Sequence, residues 1–331
     1  MATPEIVHLS DIQPRPNALK VWEKYRHSSI HWFAECLAEF IGVFLYVYSG
    51  VGSQLLFILG GILQEEGLSS VFQVGCAYAA GIVFAVTIAQ PVSGGQLSPA
   101  ITMAFVATKG FPPLKAVRYI IAQILGAYVA CLLIYVQYHD MIKLAEGALA
   151  ANGVLDETLF TPQGPAGAFG LYVLPGSNLG QVFLNEFISD LMITLVIFTC
   201  LDPTNMFVPP FLVPMVIGLA YAVAVWGYSV PGLAANTARD VGGRLAAMTI
   251  WGMKAGGGRY AAIAALTNIV ATFVSCFIYE LFFADYARVI TQSHLELIRA
   301  HQNHARTPNR MHSESMSDTS DKGRISELER A

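Results

Sequence analysis

Charge is what this sequence has least of. Only 13% of its 331 residues are Asp, Glu, Lys or Arg, about half the share usual in a soluble domain. None occurs between Gly67 and Thr108. A net charge of −4 and a pI near 6.1 exclude the basic surface that nucleic-acid binding requires. The five cysteines, Cys36, Cys76, Cys131, Cys200 and Cys276, all lie in apolar segments without CxxC spacing. They read as small buried hydrophobes, not as disulfide or metal partners. No N-x-S/T sequon occurs, and residues 1–28 are polar and hold Pro14 and Pro16, so no cleavable signal peptide is expected. No Ser/His/Asp or metal constellation falls on a common face, so no enzyme activity and no cofactor are expected. His294, His301, His304 and His312 are too dispersed for a metal site.

What is present is apolar length. The chain is 54% hydrophobic with mean hydropathy +0.52. A helix of about 20 residues crosses about 30 Å of hydrocarbon. Six segments qualify: His31–Phe57, Ser70–Gln90, Ala116–Tyr138, Gln181–Leu201, Pro209–Tyr228 and Tyr260–Phe283. Two further apolar pieces, Leu97–Ala107 and Asn236–Met248, are too short to span, and each follows a glycine-containing approach. With both tails on the cytoplasmic side, those tails hold eleven of the nineteen basic residues, and Lys109, Lys115 and Arg118 join them. That bias predicts cytoplasmic termini.

The halves echo one another. AECLAEFIGVF in the first span carries Glu39, and NEFISDLMITL in the fourth carries Glu186. After one more span each half has a short polar interruption, SPAIT or NTARD. Three spans per copy put the second copy in from the opposite side, an inverted repeat. The expected architecture is an all-α membrane protein with six transmembrane helices and two re-entrant half-helices. A tail at 1–28 precedes a channel domain at 29–284. The repeats cover roughly 29–140 and 178–284, joined by a long extracellular loop at 141–177. A largely disordered cytoplasmic tail occupies 285–331, where Ser313 and Ser326 follow arginines at kinase-like spacing.

Non-helical backbone survives at membrane depth only when protein buries it or it lines water. Two short pieces entering from opposite faces meet that condition with their amino ends abutting. Ser98 and Asn236 suit the N-cap position, and Pro99 suits the first helical one. Each amino end carries roughly half a positive charge, which opposes a cation at the midplane. Carbonyls of residues 94–97 and 232–235 supply acceptors along the track, and Arg239 adds fixed charge one turn beyond Asn236. Such a track suits small uncharged hydrogen-bonding solutes. Glu39 and Glu186 either relay protons or accept backbone hydrogen bonds from the re-entrant loops, the second being preferred. Glu35 and Asp190 are expected nearer an interface.

SGGQLSPAITMA, GLAANTARDVGGRL, AEF, NEF and YIIAQILGA together resemble the aquaporin/major intrinsic protein family over roughly residues 31–284. The resemblance implies a homotetramer in the membrane lipid with one pore per subunit, most simply in the plasma membrane. It assigns Ser98-Pro99-Ala100 and Asn236-Thr237-Ala238 to the midplane boxes, where Ser98 replaces the usual Asn and Thr237 the usual Pro. Counting from the boxes implies an outer filter of Tyr78, Ala224, Leu233 and Arg239. Asp240 and Arg244 resemble the glycerol-conducting branch, while Ala264-Ala265 match neither branch's usual pair and Thr267-Asn268 stand where Gly-Pro is common in the family. The function implied is a passive channel for water and small uncharged polyols such as glycerol that excludes ions and protons. A water-selective channel, a non-conducting scaffold of the same fold and a proton-coupled carrier are the rival expectations.

Overall fold

The computed structural model describes residues 7, 9–13, 15–26, 30–65 and 67–303. Ser313, Ser326, His304 and His312 lie outside the described residues. The chain divides into two compact units, one of residues 1–33 and 289–331, the other Ala34–Arg288. In the first, the described helices are α1 (Leu9–Ile12), α2 (Asn17–Arg26) and a segment over 292–303. That last helix places His294, Leu297, Ile298 and His301 at i, i+3, i+4 and i+7, one face of a helix. Residues 292–303 at the start of the tail are thus helical.

The second unit carries the repeats. In the first, α3 (His31–Leu63), α4 (Val71–Ser93), the short α5 (Pro99–Thr108) and α6 (Pro113–Gln137) follow in order. Then come α7 (His139–Ala151), α8 (Leu155–Thr158) and a 3₁₀ turn, η1 (Pro165–Ala168), so the 141–177 connection holds helical pieces of its own. The second repeat is α9 (Leu179–Leu201), α10 (Val213–Tyr228), α11 (Thr237–Trp251), the 3₁₀ turn η2 (Met253–Gly256) and α12 (Tyr260–Phe282).

Local chemistry sets several ends. The Ser70 hydroxyl accepts the Gln73 N–H at 3.2 Å to start α4, and Asn178 Oδ1 accepts from Gly180 and Gln181 to start α9. Gly94 ends α4 with φ +90°, a conformation open to glycine at little cost. Among the described residues, five stretches are long and apolar enough to cross a membrane: α3, α4, α6, α9 and Met253–Phe282. The fifth expected span is shorter than its sequence suggested, 16 residues in α10. Pro209 and Pro210 lack donors and sit in turns, with the Leu212 N–H bonded to Pro209 O at 2.9 Å.

Packing interlocks the repeats. The half-helix α5 packs on α6 of its own repeat and on α12 of the other, and α11 does the reverse, packing on α12 and α6. The outward faces stay apolar. On α6, Val117, Ile121, Leu125, Val129, Leu133 and Val136 are exposed at helical spacing. A soluble protein does not leave such a stripe in water; here it faces lipid.

Close crossing of α6 with α3 depends on Gly126. A Cβ there would lie 2.4 Å from the Phe40 carbonyl oxygen. Gly126→Val is therefore expected to destabilise the channel by about 1–3 kcal/mol or more. Gly147, in α7, has nothing within 4 Å of such a Cβ, so Gly147→Ala is expected to be neutral or to stabilise by up to about 1 kcal/mol. Thermal unfolding in detergent separates the two; equal midpoints would show that the helices can part without cost.

Candidate functional site

The loops that lead into α5 and α11 hold the same strained conformation. Leu97 has φ +53° and Ala235 has φ +57°, left-handed values that cost a non-glycine residue roughly 1–2 kcal/mol. Each lies one position before its cap residue, Ser98 or Asn236. A buried glutamate holds each in place. Glu39 accepts four hydrogen bonds: from Ser93 Oγ at 2.6 Å, Gln96 N at 2.9 Å, Leu97 N at 2.7 Å and Gln123 Nε2 at 2.7 Å. Glu186 Oε1 accepts from Ala234 N at 2.7 Å and Ala235 N at 3.0 Å, while Oε2 has no partner. Both glutamates are fully buried. The same device thus fixes both loops, with twice as many bonds in the first repeat.

The two caps differ. Asn236 Oδ1 accepts from Ala238 N at 2.8 Å and Arg239 N at 3.4 Å, and its Nδ2 donates to Leu97 O at 3.0 Å. One side chain therefore caps α11 and ties it to the loop of the other repeat. Ser98 occupies the N-cap position by backbone, its carbonyl taking the Thr102 N–H at 2.9 Å. Its hydroxyl makes no capping bond, a correction to the expectation that it would cap as Asn236 does. Pro99 starts the helix without help, since its ring presets φ and it has no N–H to satisfy.

Two cavities run from these loops. One, of about 360 Å³, is lined by Tyr46, Gln54, Tyr78, Tyr221, Val225, Leu233, Asn236 and Arg239, among others. The other, of about 90 Å³, is lined by Tyr46, Ile82, Leu97, Ser98, Ile101, Ile217, Tyr221 and Asn236, among others. Carbonyl-bearing loop residues enter both walls: Gly232 to Ala235 in the first, and Gly94 to Leu97 in the second.

Arg239 is buried, 2% exposed, and tightly held. Nε donates to Tyr78 Oη at 3.1 Å, Nη1 to Phe169 O at 2.6 Å, and Nη2 to Gln54 Oε1 at 3.2 Å and Ala168 O at 2.8 Å. Four of the five guanidinium hydrogens are thereby bound to protein. η1 and the residue after it supply two of these acceptors, which fixes the charge in the cavity wall.

A family model described as Major intrinsic protein matches residues 26–279. The chain belongs to the major intrinsic protein family. It is 51% identical over 307 residues to Aquaporin-3 of Laccaria bicolor, covering 92% of this chain and 93% of that one. It is 30% identical over 223 residues to Aquaporin-9 of Mus musculus, covering 66% and 72%. Its fold matches the aquaglyceroporin from Plasmodium falciparum with TM-score 0.64 at 22% identity, over 76% of this chain and 97% of that one. As a member of this family it is an integral membrane channel for small solutes such as water, and not an enzyme.

Within this aquaporin-type site the structure gathers some of the expected residues and sets others aside. Tyr78, Leu233 and Arg239 share the larger cavity with Asn236, and Ser98 lines the smaller one. Ala224 does not reach either. It is fully buried, because its methyl is too short, and Tyr221 and Val225 form that wall instead. Pro99, Ala100, Thr237 and Ala238 also lie behind the walls. The Thr237 hydroxyl donates to Ala265 O at 2.9 Å, so the residue that replaces proline fastens α11 to α12. Asp240 and Arg244 pair with each other one turn apart through both carboxylate oxygens. Arg244 Nη1 also reaches Gly256 O at 3.3 Å. This buried pair braces η2 and touches neither cavity.

Tyr46, Gln54, Tyr221, Gln123 and the Ala168 and Phe169 carbonyls were not singled out from sequence. Tyr46 lies seven residues after Glu39, on the same face of α3, which is the one signal that points to it. The 165–169 carbonyls carry no sequence signal.

Glu35 pairs with Lys115 Nζ at 2.6 Å. Asp190, expected nearer an interface, is fully buried; among the described residues neither carboxylate oxygen has a partner of hydrogen-bond geometry, and the Asn268 side chain lies beside it. It sits four residues after Glu186 on the inward face of α9, not at a helix end. An ionised carboxylate there is unfavourable, so Asp190→Asn is expected to hold or raise the unfolding midpoint, with a change within about 1 kcal/mol. A fall of several degrees on thermal unfolding would show that the carboxylate has a bound partner.

No cysteine lines either cavity. Cys131, Cys200 and Cys276 are buried, and Cys76 is exposed on the outer face of α4. Mercurial reagents are expected to leave water flux nearly unchanged. Strong block, relieved by replacing a single cysteine, would place that thiol on the pathway.

Proposed function

We propose that the chain is a passive channel for water and small uncharged polyols such as glycerol. In this reading it acts as a homotetramer of the plasma membrane with both tails cytoplasmic. The observation that carries the proposal is the larger cavity. Tyr78 of the first repeat and Val225 and Leu233 of the second present apolar surface for a carbon chain, and the Arg239 guanidinium lines the same cavity. The aquaporin names of its relatives and the fold it shares with an aquaglyceroporin are consistent with this reading.

Selectivity against ions follows from fixed positive potential without a compensating anion in the lumen. Arg239 guards the larger cavity, and the amino ends of α5 and α11 each add roughly half a charge at the midplane. A cation that enters sheds water and meets these charges; a neutral solute exchanges water for the loop carbonyls and Asn236 at little cost. Glu39 and Glu186 serve as loop-holding groups and stay out of the lumen.

The test is stopped-flow light scattering on proteoliposomes containing the full chain, under water and glycerol gradients. Water and glycerol permeabilities both well above empty vesicles are expected. Water flux without glycerol flux would select the water-only alternative. Neither flux, from folded protein, would leave the non-conducting scaffold.

A further inference from the structure

The two cavities meet at three side chains. Among the described residues, Tyr46, Tyr221 and Asn236 are the ones that line both. Tyr46 comes from α3 of the first repeat and Tyr221 from α10 of the second, and both rings stand in the walls of both cavities. Tyr221 also adjoins the Asn236 amide. Tyr46 is 4% exposed, and its hydroxyl has no hydrogen-bond partner. A buried hydroxyl is costly to leave unpaired. One placed where two cavities join is positioned for a passing solute.

The neighbouring groups have less to offer that solute. Arg239 spends four of its donors on protein acceptors. Asn236 commits Oδ1 to its helix and one amide hydrogen to Leu97, and Ser98 brings a single short hydroxyl. Two phenols both narrow the lumen and restore hydrogen-bonding capacity at its centre.

We propose that Tyr46 and Tyr221, opposed by Asn236, form the station that selects solute by width and hydrogen bonding. The ring around Arg239 then acts as a charge barrier and a vestibule. The proposal rests on the channel reading above. The station takes neutral solutes that both donate and accept and that are no wider than one CHOH unit. Water passes in single file, and a linear polyol must thread its carbon chain between two rings.

Proteoliposomes of wild type, Tyr46→Phe, Tyr221→Phe, Tyr221→Ala and Leu233→Ala, at equal protein content, test this. Tyr46→Phe keeps the width and loses the hydroxyl, so water permeability is expected to fall roughly 2- to 10-fold without a rise in the glycerol-to-water ratio. Tyr221→Ala widens the station, and that ratio is expected to rise by about an order of magnitude. Leu233→Ala, in the vestibule, is expected to shift it less. If Tyr221→Ala does not fold, Tyr221→Phe supplies the second arm, with the same expectation as Tyr46→Phe. The proposal is overturned if both Phe variants conduct water as wild type does. A larger ratio change from Leu233→Ala than from Tyr221→Ala also overturns it. Absence of water flux through wild type itself would instead refute the channel reading.

Discussion

Glu39→Gln is expected to damage the channel, and Glu186→Gln is expected to leave it nearly intact. The two glutamates occupy equivalent places in the repeats, yet their bonding differs. Glu39 uses both oxygens, each accepting two donors. An amide replaces one oxygen by an NH₂ group and points donors at donors. If that NH₂ takes the Oε2 side, it faces the Leu97 N–H and Gln123 Nε2. If it takes the Oε1 side, it faces Ser93 and Gln96. Either way a buried backbone N–H, that of Leu97 or that of Gln96, loses its acceptor, at about 1–3 kcal/mol. The Leu97 strain of roughly 1–2 kcal/mol also loses part of its support. A loss of about 2–4 kcal/mol is expected, large against a total stability of about 5–15 kcal/mol. Glu186 engages only Oε1 and leaves Oε2 unpartnered, so its amide can keep both bonds, and a change within about 1 kcal/mol is expected. Thermal unfolding of the two variants in the same detergent checks the asymmetry. Flux through Glu186→Gln checks the role: a proton relay would fail, while a loop-holding group still conducts. Equal loss in both variants would mean that the Oε2 side of Glu186 binds something.

Arg239→Ala is expected to open the channel to cations. A unit charge about 6 Å from a passing ion, at an effective dielectric of about 20, is worth roughly 2–3 kcal/mol. Removing it raises cation and proton leak by roughly 30- to 150-fold. The same substitution frees Tyr78, Gln54 and the carbonyls of Ala168 and Phe169, so η1 loses an anchor and stability falls as well. Arg239→Lys separates the two effects. It keeps the charge but cannot reproduce the four-way fork, so it should retain ion exclusion while losing stability. A pH-sensitive dye inside vesicles, under an imposed diffusion potential, reads the leak. A leak in Arg239→Ala no greater than in wild type would mean that the half-helix amino ends alone exclude cations.

Much of this protein is legible in its sequence, for physical reasons that act locally. Apolar length sets the spans because lipid leaves backbone groups no partner outside the helix. The polar breaks at Ser93–Pro99 and Gly232–Asn236 stand out against that background, and the shared AEF and NEF reveal the repeat. Helix ends were legible where a side chain or ring sets them, as at Ser70, Pro99 and Asn236. The sequence could not fix what depends on reach across the fold. Ala224 has the sequence position of a wall residue, yet a methyl group does not span the distance, and Tyr221 and Val225 take the wall. Thr237 looked like a pore substitution and turned out to be a fastening to α12, because its hydroxyl faces the Ala265 carbonyl. Two of the four acceptors that fix Arg239 are main-chain carbonyls of Ala168 and Phe169, a group that every residue possesses. Asp190 repeats the spacing of Glu35 but lies on an inward face, where helix packing and not sequence position decides burial. Alone, then, the chain determined its membrane class, its repeat and its two polar loops. Only the tertiary structure decided which side chains meet in the lumen, since those contacts join residues from opposite repeats whose separation along the chain carries no signal.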